Sequence, residues 1–321
     1  MLKPPRLEPG QTIGLISPAS GIPNPDKIDR AAAFLESKGY RVRLGRHVRR
    51  RTGYLAGSDR QRLEDLHRMW GDPKINAILC LRGGYGTLRF VHQLDFNLIR
   101  KNPKIFMGFS DLTTLHLAIL RRTGLVTVHG PMAVSNFANP DAPAFTFDAA
   151  QRLLSDPRPF GSIVAGAPVP RPAVIRGGRP VTGPLTGGNM SLIQTTLGTP
   201  FEIQTKGRIV FLEETGERPY RIDRMLTHLF AAGKLKDAAG IALGLFDDCE
   251  EPPDKSKRKE GDDKPVTLLD VLRERLSNLG IPVLAGFPFG HTSVNAALPY
   301  GLRVTLDPAR RDLIIEQSAV L

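Results

Sequence analysis

Three kinds of side chain in this sequence carry the raw material of nucleophilic acyl transfer: a serine where a strand turns into a helix, paired glutamates after a strand, and histidines just beyond strand ends. The serine lies in Lys104–Leu120 (KIFMGFSDLTTLHLAIL). Ile105, Phe106, Met107 and Phe109 make an apolar run of strand length, and Leu112, Leu115, Ala118 and Ile119 then recur at helical spacing. Ser110 therefore sits at a strand-to-helix turn, which lifts a hydroxyl above the sheet and aims the first helical N–H groups at whatever it attacks. A plainer use is available to Ser110 or Asp111 as the helix N-cap, and the stretch taken alone favours the cap.

The acids follow the apolar run Ile209–Leu212, beginning with Glu213 and Glu214, where a carboxylate suits the orienter of a nucleophile–histidine–acid constellation. Glu217 and Asp223, further on, read better as solvated acids capping the next helix. Of seven histidines, His129 (VTVHGP) and His291 (GFPFGHTS) stand just past strand ends, and the Phe287-Pro288-Phe289-Gly290 wall and hinge give His291 a slight preference. Gly83-Gly84-Tyr85-Gly86 also follows a strand. It matches neither G-x-G-x-x-G nor the Walker pattern, so a phosphate cradle is less apt than a backbone N–H brought close to a substrate carbonyl. No H-E-x-x-H or close His/Asp pair suggests a metal site.

The elements needed to position these groups can be read from periodicity. Strands are expected at 11–18, 40–44, 77–81, 105–109 and 125–129, alternating with helices at 27–38, 58–70 and 88–94. That alternation is the pattern of a largely parallel sheet with helices on both faces. Residues 1–138 form this α/β domain, and the Pro/Gly-rich stretch 139–180, with one short helix near 149–154, reads as a linker. A second domain, 181–321, is expected to carry strands at 208–212, 240–246 and 282–287, helices at 222–232 and 268–279, and a closing hairpin through Val304–Leu306 and Leu313–Ile315. Asp247 to Pro265 is charged and reads as a mobile loop.

Composition narrows the function classes. Two cysteines, Cys80 and Cys249, make neither a disulfide framework nor a zinc site. The amino-terminal stretch has no secretory pattern and no run approaches the ~20 apolar residues of a membrane span, so a cytoplasmic, reduced protein is expected. The net charge of +12 gathers at Arg46, Arg49, Arg50 and Arg51 and again at Lys255, Lys257, Arg258 and Lys259. These runs lack interleaved aromatics, so they read as solvated loops rather than a nucleic-acid footprint.

Read together, the motifs resemble the serine-type LD-carboxypeptidase (muramoyltetrapeptide carboxypeptidase) family. The first half contributes Tyr54-Leu55-Ala56-Gly57 with Arg62, Arg82-Gly83-Gly84-Tyr85-Gly86, Gly108-Phe109-Ser110-Asp111-Leu112-Thr113 and His129-Gly130-Pro131. The second contributes Gly187-Gly188-Asn189, Gly198-Thr199, Phe211-Leu212-Glu213-Glu214, Tyr220-Arg221-Ile222-Asp223-Arg224 and Phe289-Gly290-His291. The resemblance implies a Rossmann-like, mostly parallel α/β domain bearing the nucleophile and a smaller β-rich, barrel-like domain supplying Glu and His. By position, Ser110 is then the nucleophile, Glu213 the orienting acid and His291 the general base, with the backbone N–H groups of Asp111 and Gly84 as the oxyanion hole. Glu214 stays open as the alternative acid, because neighbours in an extended chain point to opposite faces.

The implied activity removes the terminal D-Ala from a cytoplasmic murein tetrapeptide, at the L-centre of meso-diaminopimelate, during wall recycling. No cofactor or metal is implied; the expected partners are the small peptide substrate and a second copy of the chain, without nucleic acid or membrane. Two rival functions remain: a microcin-C-type peptidyl-nucleotide immunity hydrolase with the same triad, and a non-enzymatic nucleotide- or RNA-binding module.

Overall fold

The computed structural model describes residues 1–251 and 266–321; most of the charged segment 247–265, with its basic run, lies outside the described residues. The first half builds β1 (Thr12–Ile16), β2 (Arg41–Leu44), β3 (Ala77–Cys80), β4 (Ile105–Gly108) and β5 (Val128–His129). They pair in parallel in the order β5-β4-β3-β1-β2. Every residue of β3 and β4 is buried, which is why their sequences run apolar without alternation: helices cover both faces of the sheet. The helices are α1 (Asp26–Ser37), α2 (Asp59–Gly71), α3 (Phe96–Lys101), α4 (Thr113–Thr123) and α5 (Ala144–Ser155). α2 starts on a reciprocal cap between Ser58 and Gln61.

The second half adds β6 (Gly161–Ser162), β7 (Ala173–Arg176), β8 (Val181–Asn189), β9 (Ile209–Thr215), β10 (Gly240–Asp247) and β11 (Val283–Gly290). After these come β12 (Leu298–Pro299), β13 (Arg303–Asp307) and β14 (Asp312–Ile315), and the helices are α6 (Met190–Thr196), α7 (Pro219–Ala231) and α8 (Leu268–Leu276). Eight of these strands form one mixed sheet, ordered β6-β14-β13-β8-β9-β10-β11-β7, with β8 to β11 parallel and the flanks antiparallel. β12 is the exception. It leaves its own half and pairs antiparallel with β5, so the second half closes the edge of the first sheet.

Two segments differ from the periodicity reading. The helix expected at 88–94 is a 3-10 turn at Val91–Gln93; regular helix begins only at Phe96, where the Asp95 side chain accepts from Leu98 N–H at 2.8 Å. The stretch 139–180 holds more structure than one short helix: α5 starts at Ala144 and buries Phe147, Ala150, Leu153 and Leu154, while β6 and β7 take the two outer positions of the second sheet. Of the first basic run, Arg46 and Arg49 pair with Glu64 and Asp29. No helix among the described residues is long and apolar enough to cross a membrane.

Candidate active site

In a parallel sheet, ligands gather beyond the carboxyl ends of the strands. Ser110 lies beyond β4 at φ +65, a left-handed conformation that is costly for a side chain with a Cβ. A 3-10 turn (Ser110–Leu112) leads from it into α4. Neither Ser110 nor Asp111 caps the helix, so the cap reading of this stretch is corrected. Asp111 is instead buried and turned toward the glycine loop: its carboxylate accepts from Thr87 N–H at 2.9 Å, and its carbonyl accepts from the Thr87 hydroxyl at 2.7 Å. Burial raises the Asp111 pKa, against the pull of those bonds.

The glycine loop is held from its other side by Arg62, which is fully buried. Its guanidinium donates to Pro18 O at 2.6 Å and Gly86 O at 2.9 Å, pairs with Asp59, and lies 5.0 Å from the centre of the Phe90 ring. The loops after β1 and β3 are thus fixed to each other. The glycines themselves are sterically required. A Cβ on Gly83 would lie 2.8 Å from the Ser110 Cβ, and one on Gly84, at φ +112, would lie 2.5 Å from the Ser20 Cβ. Among the described residues, neither the Gly84 nor the Asp111 N–H donates to another protein group. Both are candidates to receive an oxyanion.

His291 directly follows β11, and Glu213 lies in β9. The His291 Nδ1–H donates to Glu213 Oε2 at 2.6 Å, with the carboxylate fully buried and the ring edge-on to Phe109 at 4.8 Å. Burial depresses the imidazole pKa, but the hydrogen bond and charge of Glu213 outweigh it, and the net shift is upward from 6.5. Nδ1 is committed to the carboxylate, which leaves Nε2 as the ring's free base. Gly290 makes this approach possible: at φ +129, a Cβ there would come within 2.6 Å of Leu245 O.

The neighbouring acid does something else. Glu214 accepts from Asn189 Nδ2 at 2.7 Å and Ser191 N–H at 2.8 Å, and so fastens the start of α6 to β9. Its pKa is raised by burial, which those bonds only partly offset. Of the two adjacent glutamates, Glu213 is the one that reaches the histidine.

Ser110, His291, Gly84 and Arg82 line one cavity of about 400 Å³, which also takes in Met132, Asn136, Asn139 and Thr215. Ser110 and His291 share it without a hydrogen bond between them among the described residues; catalytic contacts of this kind commonly tighten only when substrate binds. The asparagines went unnoticed in the sequence because they border the stretch read as linker. His129, the other histidine past a strand end, has no such access. It is fully buried against Phe109, Phe211 and Phe289, with both ring nitrogens unpartnered, and burial holds its pKa well below 6.5. Among the described residues, no group of three or more His, Cys, Asp or Glu side chains could hold a metal ion.

The serine and the His–Glu pair come from different halves, so the contact between halves sets their geometry. That contact is close. Thr113, the first residue of α4, accepts from Asn189 N–H at 3.1 Å, and a Cβ on Gly188 would lie 2.5 Å from the Thr113 Cγ2. The Tyr300 hydroxyl donates to Gly187 O at 3.0 Å while its ring stacks on His116 at 4.8 Å.

Compared with known proteins, the sequence matches the LD-carboxypeptidase N-terminal domain over residues 13–130 and the LD-carboxypeptidase C-terminal domain over residues 182–306. It is 42% identical to a Bacillus subtilis protein named "Probable murein peptide carboxypeptidase", over 98% of this chain and 94% of that one. It is 35% identical to the murein tetrapeptide carboxypeptidase of Pseudomonas aeruginosa, over 93% and 94% of the two chains. Among solved structures, the muramoyltetrapeptide carboxypeptidase of Oxalobacter formigenes superposes with a TM-score of 0.81 at 31% identity, covering 95% of this chain and 98% of that one. The wild-type microcin C7 self-immunity protein MccF shares the fold, with a TM-score of 0.86 at 24% identity over the whole of both chains.

Proposed function

The chain belongs to the LD-carboxypeptidase family and is a serine-type carboxypeptidase, and from that premise we propose that it removes the terminal D-Ala of a murein tetrapeptide by way of Ser110, His291 and Glu213. The observation that carries the triad is the 2.6 Å bond between His291 and the buried Glu213, in a cavity shared with a serine held at positive φ.

In this reading, Nε2 of His291 takes the Ser110 proton as Oγ bonds to the scissile carbonyl carbon, and Glu213 stabilises the imidazolium that forms. The oxyanion is received by the N–H groups of Gly84 and Asp111, donors of a kind worth about 10²–10³ each in turnover. The tetrahedral centre collapses, the C–N bond breaks, and His291 returns its proton to the departing D-Ala amine. A water deprotonated by the same histidine then releases the peptide from Ser110.

The bond we assign joins the L-centre of meso-diaminopimelate to D-Ala in a cytoplasmic, recycled peptide, and by family resemblance the protein acts as a homodimer. Support for this substrate comes from the two relatives named for murein peptides at 42% and 35% identity. The test is incubation with a synthetic tetrapeptide ending in D-Ala, followed by mass analysis. Wild type should release one D-Ala per peptide and Ser110→Ala none; an undiminished rate in the variant removes Ser110 from the mechanism. The MccF likeness makes a peptidyl-nucleotide the second substrate to assay, and preferential cleavage of it would displace the tetrapeptide reading.

A further inference from the structure

Resting on the tetrapeptide reading, we propose that the cavity bounded by Lys27, Arg30 and Arg82 is a subsite for a carboxylate on the part of the substrate that stays bound to Ser110. This cavity, about 450 Å³, adjoins the Ser110 cavity and shares Arg82, Ser135 and Asn139 with it. Neither cavity is lined by an Asp or Glu. Arg82 is half-buried on the boundary, with Nη1 donating to Gly21 O at 3.3 Å, which holds the guanidinium in place without neutralising it.

Lys27 and Arg30 stand on α1, and among the described residues neither they nor Arg82 form an ion pair. Of the two acids in the first turn of the same helix, Asp29 is engaged by Arg49, and Asp26 lines neither cavity and forms no ion pair with Lys27 or Arg30 among the described residues. Three cations therefore face a concave space with no internal counter-charge, an arrangement that concentrates anions. The direction of binding follows from size. The departing group is one small amino acid, which the Ser110 cavity holds by itself. Only the retained portion of the peptide is long enough to pass Arg82 into the second cavity.

The test uses two tetrapeptides that differ only at a carboxyl upstream of the diaminopimelate, free in one and carboxamide in the other. Wild type should prefer the acid, and Lys27→Ala/Arg30→Ala should lower the acid-to-amide ratio of kcat/KM about tenfold, the scale of two partly solvated ion contacts. The ratio in wild type should also shrink as salt is raised. An unchanged ratio in the variant, with the acid peptide still cleaved, overturns the subsite and leaves the tetrapeptide reading standing. Failure of wild type to cleave either peptide overturns both. Both residues are exposed on a helix surface, so the variant should keep the fold, which far-ultraviolet circular dichroism checks.

Discussion

Replacing Glu213 by glutamine tests the role we propose for this residue. Glutamine keeps the shape and removes the charge that faces Nδ1 of His291 at 2.6 Å. A hydrogen bond to an ionised partner is worth about 1.5–3 kcal/mol, or roughly ten- to a hundredfold in rate if lost from the transition state, where the imidazole carries its full charge. Glutamine can also present its N–H₂ to Nδ1 and so favour the wrong tautomer, a defect that brings the loss in serine triads to about 10⁴. A kcat lower by about 10³–10⁴ is therefore expected, with KM little changed.

Stability should move the other way or not at all. Glu213 is fully buried and its Oε1 has no protein partner, so the carboxylate is costly to fold around. The pH profile adds a second readout. In the mechanism we propose, neutral His291 is the base, and Glu213 raises its pKa against the pull of burial, so wild-type kcat/KM should fall as pH drops through a value above 6.5. In the variant that limb should shift to lower pH. Stopped assays across pH with urea melts of both proteins make the comparison. A Glu213→Gln enzyme with wild-type kcat and an unmoved acid limb refutes the role given to this residue.

Other perturbations test the supporting structure. Gly83→Ala places a Cβ 2.8 Å from that of Ser110, and steady-state kinetics should show kcat lower by at least tenfold with the fold intact by circular dichroism. Gly188→Ala, at φ +129 and 2.5 Å from Thr113, should loosen the contact between halves; kcat should fall more steeply than the ~1–3 kcal/mol lost in urea melts. Buried His116, whose pKa burial lowers to about 4, remains neutral in the fold while the unfolded chain protonates near 6.5. Its contribution is whole above pH 6.5 and is lost as pH falls toward 4, about 3 kcal/mol in all. An unfolding free energy that stays flat between those values contradicts this.

The strand before Ser110 and the helix after it were legible because the apolar period changes abruptly at that residue. The positive φ was not: Ser and Asp at a helix start usually announce a cap, and only the tertiary tie between Asp111 and Thr87 takes the aspartate elsewhere. The choice between Glu213 and Glu214 was hidden for another reason. β9 is buried on both faces, so alternation gave no inward or outward signal, and each acid found its own partner across the sheet. His129 and His291 look alike at the ends of their strands, and what separates them is an aromatic enclosure assembled from three distant segments. The structure within 139–180 was obscured by prolines and glycines that sit between its elements.

The crossing of β12 onto β5 bears on how the protein can be divided. The loop carrying His291 is moored at one end by β11 in its own sheet and at the other by β12 in its neighbour's. A fragment ending before that loop would leave β5 with a raw flank of unpaired amides and carbonyls, which invites self-association rather than a tidy half-protein. Anyone grafting or splitting this scaffold needs to supply a surrogate for two residues from the far end of the chain, Leu298 and Pro299.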